Sequence, residues 1–253
     1  QAGEPSVTAV GYAGIYDGKP HGITVTATGY SNDEVFTVYY SDQELTADNY
    51  KTVGKQSLTY TDASETPYTV YYYVDSKNYR PATGSKTVTI GTAPLTVKAT
   101  DKTITYGDAL TAINDNALPA ANGLKGVTLS GLVPADEEKT IYAEVSYASA
   151  DYDQYKDAEI YTVTPKLTKE STDSVLKNYH ITYVPGKLTV EPKEVNFTWP
   201  ATTTFEYNGN VQGITATIDG LVNGDDVTVG SYEGNTATVA CLSGESYTAT
   251  VTS

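Results

Sequence analysis

Tyr68-Thr69-Val70-Tyr71-Tyr72-Tyr73-Val74 is the stretch on which the fold turns. Every residue in it is β-branched or aromatic, the kind that fits a pleated surface and loses most rotamer freedom in a helix. Because successive side chains of a strand point to opposite faces, Tyr68, Val70, Tyr72 and Val74 are expected on the core face. Tyr71 and Tyr73 then look the other way. The same chemistry recurs outward from this stretch in Ile23-Thr24-Val25-Thr26-Ala27, Val35-Phe36-Thr37-Val38-Tyr39-Tyr40, Leu95-Thr96-Val97-Lys98-Ala99 and Lys187-Leu188-Thr189-Val190. Gly, Asn, Asp and Pro bound these runs, as they bound short strands. Two stretches, 109–118 and 169–176, could hold a short helix, but β-formers and turn residues flank both. The expected fold is all-β, as tandem immunoglobulin-like sandwiches. Small β-grasp-like sheets with a short helix are the alternative, above all for the middle of the chain.

The pattern is repeated along the chain. Tyr16-Asp17-Gly18 followed by Gly22-Ile23-Thr24-Val25 returns as Tyr207-Asn208-Gly209 followed by Gly213-Ile214-Thr215-Ala216, with Tyr106-Gly107 between them. A later signature appears as Tyr68-Thr69-Val70, Tyr161-Thr162-Val163 and Tyr247-Thr248-Ala249. Repeats of about a hundred residues have the size of a small sandwich domain. They divide the chain at 1–92, 93–192 and 193–253. A closing signature, Asn78-Tyr79 leading to Thr87-Val88-Thr89-Ile90 and Asn178-Tyr179 leading to Leu188-Thr189-Val190, occurs only twice. The third repeat is therefore expected to lack its last strand. Gly91-Thr92-Ala93-Pro94 and Glu191-Pro192-Lys193-Glu194 are the connections. Short connections with Pro and no Gly/Ser tract predict a semi-rigid, elongated rod spanning on the order of 100 Å. Gly after Tyr-Asp or Tyr-Asn suits a turn with positive φ, which Asp and Asn support through local hydrogen bonds.

Composition narrows the function classes. With 39% hydrophobic and 11% aromatic residues the chain has apolar surface that disordered segments lack. A net charge of −15 repels phosphate backbones and anionic lipid, so neither nucleic acid nor a membrane surface is an expected partner. No run approaches the roughly 18 apolar residues needed to cross a bilayer. No signal-peptide pattern opens the sequence, which reads as a mature or trimmed segment. Tyr outnumbers Phe by 23 to 3, as suits sheets close to solvent whose rings pack while their hydroxyls meet water. The single Cys241 lies in an alternating run and reads as a small buried residue.

At these residues the chain resembles the MBG and YDG families of bacterial surface repeats, found in tandem in large adhesins. Leu95-Thr96-Val97-Lys98-Ala99-Thr100-Asp101-Lys102-Thr103-Ile104-Thr105-Tyr106-Gly107-Asp108 is similar to the family's opening, and Asn178-Tyr179-His180-Ile181-Thr182-Tyr183-Val184-Pro185-Gly186-Lys187-Leu188-Thr189-Val190 to its close. Gly11-Tyr12 with Tyr16-Asp17-Gly18-Lys19-Pro20-His21 resembles the YDG type, and Asp219-Gly220-Leu221-Val222-Asn223-Gly224-Asp225 looks like a family hairpin. The insert at 117–126 departs from the pattern. The resemblance implies extracellular display on a bacterial surface, a structural stalk or adhesin segment, and a monomer within a longer multidomain chain. It supplies no catalytic residues.

Chemistry-bearing motifs are scarce. His21 and His180 are the only histidines, and no Gly-x-Ser-x-Gly elbow, P-loop or dinucleotide glycine pattern is present. No enzymatic activity, cofactor or metal is expected. Asp136-Glu137-Glu138 beside Pro134 reads as a solvated turn. Asp151, Asp153 and Asp157 have calcium-loop spacing, but Tyr155 occupies a ligand position and the required Gly is missing. Lys98 is the sort of residue that forms Lys–Asn isopeptide crosslinks in surface modules, a bond that intact mass would reveal as loss of ammonia. Tyr71 and Tyr73 are the remaining candidates, as exposed rings that could stack on a host glycan, mucin or protein partner. Cross-strand packing is their alternative role.

Overall fold

The computed structural model describes residues 3–31, 33–109, 118–119, 126–141, 143–145, 155–168, 175–201, 203–229, 231–240 and 246–252. The chain is all-β. By backbone packing it divides into two units. One comprises 1–101, 111–147 and 162–187, the other 102–110, 148–161 and 188–253.

In the first unit, the strands Tyr12–Ile15, Ala82–Gly91, Tyr68–Asp75 and Thr37–Ser41 form one sheet in that order. Tyr12–Ile15 runs parallel to 88–91, and the other two pairings are antiparallel. Its core is Val70, Val74, Val88 and Ile90, none more than 1% exposed. Burial of side chains of this size stabilises by about 1.5–3 kcal/mol each. The pair Ser6–Val10 and Thr24–Thr28 is antiparallel. One helical turn, Tyr50–Val53, carries Tyr50 onto Tyr73 with ring centroids 4.1 Å apart, and Leu45 completes that cluster. A short helix on a mixed sheet is the element that the β-grasp-like alternative included. A second sheet orders Val127–Ser130, Ala93–Ala99 and Tyr179–Val184. It buries Leu95, Val97 and Ala99 completely, because Ala93–Ala99 is its central strand.

In the second unit, Leu188–Glu191 runs parallel to Lys102–Thr105, repeating the parallel pairing of Tyr12–Ile15. Asn196–Thr198 pairs antiparallel with Thr217–Asp219, as Ala93–Ala99 does with Val127–Ser130. Among the described residues of the third repeat none is buried, and none forms a counterpart of the closing strand. The stretches 109–118 and 169–176, which could hold a short helix, fall mostly outside the described residues, as does most of the insert at 117–126.

Candidate functional site

In the first two repeats the strand order places the opening tyrosine beside the exit to the next repeat. Tyr16 follows the parallel strand Tyr12–Ile15, and its N–H donates to the Gly91 carbonyl, 2.8 Å away. Tyr106 follows Lys102–Thr105 and donates in the same way to Glu191, also at 2.8 Å. Gly18 and Gly107 then turn the chain with φ of +75° and +88°. Asp17 supports the first turn by accepting from the Lys19 N–H. The positive φ and the local hydrogen bond expected of Tyr-Asp-Gly are thus present.

The receiving partner of Tyr16 is a turn that follows the strand Val127–Ser130 of the next repeat. After Val127–Ser130 come Gly131, Leu132 and Val133, then Pro134 and Ala135 in a 3₁₀ turn that ends on Asp136. The Asp136 N–H closes the turn on the Val133 carbonyl at 2.8 Å. Gly131, at φ +95°, lies so close to the Pro94 carbonyl that a Cβ there would overlap it. The turn is thereby held against the connection between repeats.

Tyr16 donates its hydroxyl to Asp136 Oδ2 at 2.9 Å, across 120 residues of sequence. Tyr179 donates to the same oxygen at 2.6 Å and accepts from the Val133 N–H at 3.0 Å. Asp136 is 4% exposed. Its carboxylate is satisfied by two charge-assisted hydrogen bonds, which make burial tolerable. The Tyr16 and Tyr179 rings meet edge-on at 5.6 Å. A second contact joins the same repeats. Asn178 accepts from the Ala63 N–H at 2.8 Å and donates to Asp62 at 3.1 Å, while Lys177 pairs with Asp62 at 2.8 Å. The Lys177 hydrogen bond, with that of Asn178, holds the Asp62 carboxyl below its ordinary range. Both ends of the Lys177–Asp62 pair are half exposed, so Lys177→Ala is expected to leave the urea midpoint nearly unchanged, and to move it less still in high salt.

The joint is made twice. In the second unit Tyr106 donates to Asp225 at 3.1 Å, and Asp225 closes its own turn on Val222 at 2.9 Å. Gly-Leu-Val-x-x-Asp stands at both receiving turns, 131–136 and 220–225. The glycine after each tyrosine faces the valine of the opposing turn, Gly18 against Val133 and Ala135, Gly107 against Val222. The expectation of a solvated turn at Asp136 is therefore corrected. A tyrosine far away in sequence excludes water from it.

Burial pushes the Tyr16 phenol up to about 12, with the Asp136 hydrogen bond and charge adding to it, and raises Tyr179 for the same leading reason. The bonded form is the neutral phenol, whose ordinary value is 10.0. The joint's contribution is thus whole below pH 10 and is lost as pH rises through about 12. Tyrosinate absorbance together with circular dichroism is expected to show late ionisation of Tyr16 coinciding with loss of structure in that window. Asp136→Asn is expected to move that ionisation toward the ordinary value.

The candidate contact aromatics are placed otherwise than expected. Tyr73 is 3% exposed beneath Tyr50 and Leu45. The face assigned to solvent is covered by the helical turn Tyr50–Val53, so Tyr73 is not an exposed ring. Tyr71 is half-buried and lines a depression of about 140 Å³ with Glu44, Leu45 and Gly84. That volume is below the roughly 300 Å³ at which pockets begin to enclose small molecules. His21 stacks on Tyr12 at 3.8 Å and bonds Asp17 at 2.8 Å, which keeps it inside the turn of its own repeat. Among the described residues no group of three His, Cys, Asp or Glu could hold a metal ion. Cys241, Asp151 and Asp153 lie outside the described residues, and Lys98 is exposed. Among the described residues no helix is long and apolar enough to cross a membrane.

Residues 95–189 match the family described as MBG domain (YGX type). The match spans the second repeat almost end to end. No curated protein matches the chain.

Proposed function

We propose that this chain is a non-enzymatic, extracellular spacer from a bacterial surface protein, a monomeric segment of a longer multidomain chain that holds a binding region away from the cell. One observation carries this reading: the Tyr-to-Asp joint is formed twice, from equivalent residues, at the connection between successive repeats. A spacer has to resist bending at its connections, and a hydrogen-bonded joint beside each one, buried at Asp136 and half-buried at Asp225, supplies that resistance. The MBG match is compatible with a surface module.

NMR relaxation on the full chain tests it. The first repeat and residues 162–187, which pack in one unit, are expected to share one correlation time that splits in Asp136→Ala. Independent tumbling in the unsubstituted chain would count against a spacer. A glycan array and a mucin overlay are expected to stay at background. Saturable binding abolished by Tyr71→Ala would put a glycan-binding module in its place.

A further inference from the structure

The third repeat carries the donor half of the joint. Gly209 has φ +81°, and Asn208 accepts from the Asn210 N–H at 2.9 Å, matching Gly18 and the Asp17–Lys19 bond. The turn is therefore shaped as in the first repeat, but its surroundings differ. Tyr207 is 67% exposed where Tyr16 is 6%. A Cβ added at Gly209 would meet nothing within 4 Å, whereas one at Gly18 would strike Ala135. Phe205 and Val211, on either side, are 48% and 67% exposed.

We propose that Tyr207, Asn208 and Gly209 form a docking surface for another MBG-type repeat, which would present a Gly-Leu-Val-x-x-Asp turn. The Tyr207 hydroxyl would donate to the turn's carboxylate, and Gly209 would receive its valine. This is the occupant because both filled copies of the surface in this chain hold such a turn. The first repeat's equivalent, Gly29-Tyr30-Ser31-Asn32-Asp33-Glu34, keeps the closing bond from Glu34 N–H to the Ser31 carbonyl at 3.4 Å. It has Ser in place of Val and Glu in place of Asp, so a second copy of this chain is the poorer fit. The inference rests on the reading of the chain as part of a tandem array. The tests act at Tyr207, however, and their failure leaves the Tyr16–Asp136 joint and its relaxation test untouched.

The first experiment completes the first repeat's turn, whose Glu34 carboxylate accepts from Asn78 within its own repeat, in the full chain with Tyr30→Leu, Ser31→Val and Glu34→Asp. Sedimentation velocity is run over a concentration series to millimolar, with circular dichroism checking the fold. The substituted chain is expected to associate head to tail, and Tyr207→Phe in the same background to weaken association about tenfold by leaving the incoming carboxylate short of a donor. The unsubstituted chain is expected to associate at least tenfold more weakly. A second measurement needs no substitution: a synthetic peptide of residues 128–139, titrated into the full chain, is expected to shift the amide resonances of 207–210, and its Asp136→Asn form to do so less. A substituted chain that remains monomeric together with a peptide that leaves 207–210 unmoved overturns the proposal. So does association indifferent to Tyr207→Phe. Equal association of the unsubstituted chain would give the surface to a second copy instead.

Discussion

Asp136→Ala is expected to lower the unfolding free energy of the first packing unit by about 3 kcal/mol, read as a fall in urea midpoint at unchanged slope. The loss has two parts. The hydroxyls of Tyr16 and Tyr179 both donate to Asp136 Oδ2, and both rings are buried at 6% exposure. Truncation leaves two buried donors without an acceptor, at about 1–3 kcal/mol each, less whatever water the space admits. The turn also loses the carboxylate that orients the Tyr179 hydroxyl, which accepts directly from the Val133 N–H. Asp136→Asn keeps the shape and one acceptor, so about half the effect is expected. A double-mutant cycle with Tyr16→Phe isolates the joint itself. Coupling near zero between the two positions would mean that the hydrogen bond adds nothing beyond packing.

How far the sequence reaches is clearest at particular residues. Tyr68–Val74 announces its strand because β-branched and aromatic side chains act locally, and Val70 and Val74 are buried as the alternation requires. Tyr73 escapes the alternation because a helical turn of four residues, too short to show a period, folds over the second face. The positive φ at Gly18 and Gly209 is legible because a turn's backbone depends on its own few residues. Asp136 was not legible. Its burial comes from Tyr16, 120 residues away, and nothing near Pro134 records it. The signal that could have exposed it was the recurrence of Gly-Leu-Val-x-x-Asp at 131–136 and 220–225, set against the recurrence of the tyrosines at 16 and 106. Two series of repeats in fixed offset point to contact between successive repeats, which either series alone leaves as a local turn.

The three glycines of the tyrosine turns separate docking from backbone strain. Ala at any of them meets a left-handed φ, +75° at Gly18, +88° at Gly107 and +81° at Gly209, at about 1–2 kcal/mol each. Only the surroundings differ. At Gly18 the new Cβ would lie 2.5 Å from Ala135 Cβ, an atom fixed to the backbone, and 3.2 Å from Val133 Cγ1. It cannot be accommodated unless the turn Val133–Asp136 withdraws, so overpacking adds about 1–3 kcal/mol and opens the hydrogen bond to Asp136. At Gly107 the nearest atom is Val222 Cγ2 at 2.9 Å, on a side chain that can rotate, and the added cost is smaller. At Gly209 nothing lies within 4 Å, and strain alone remains. The expected order of destabilisation is Gly18→Ala, then Gly107→Ala, then Gly209→Ala, measured as urea unfolding of the full chain followed by residue-resolved hydrogen exchange. In Gly18→Ala the amides of 133–136 are expected to lose protection while those of 70–74 keep it. Equal costs at all three glycines would reduce the signature to a turn and remove the joint from the account of how the repeats are held.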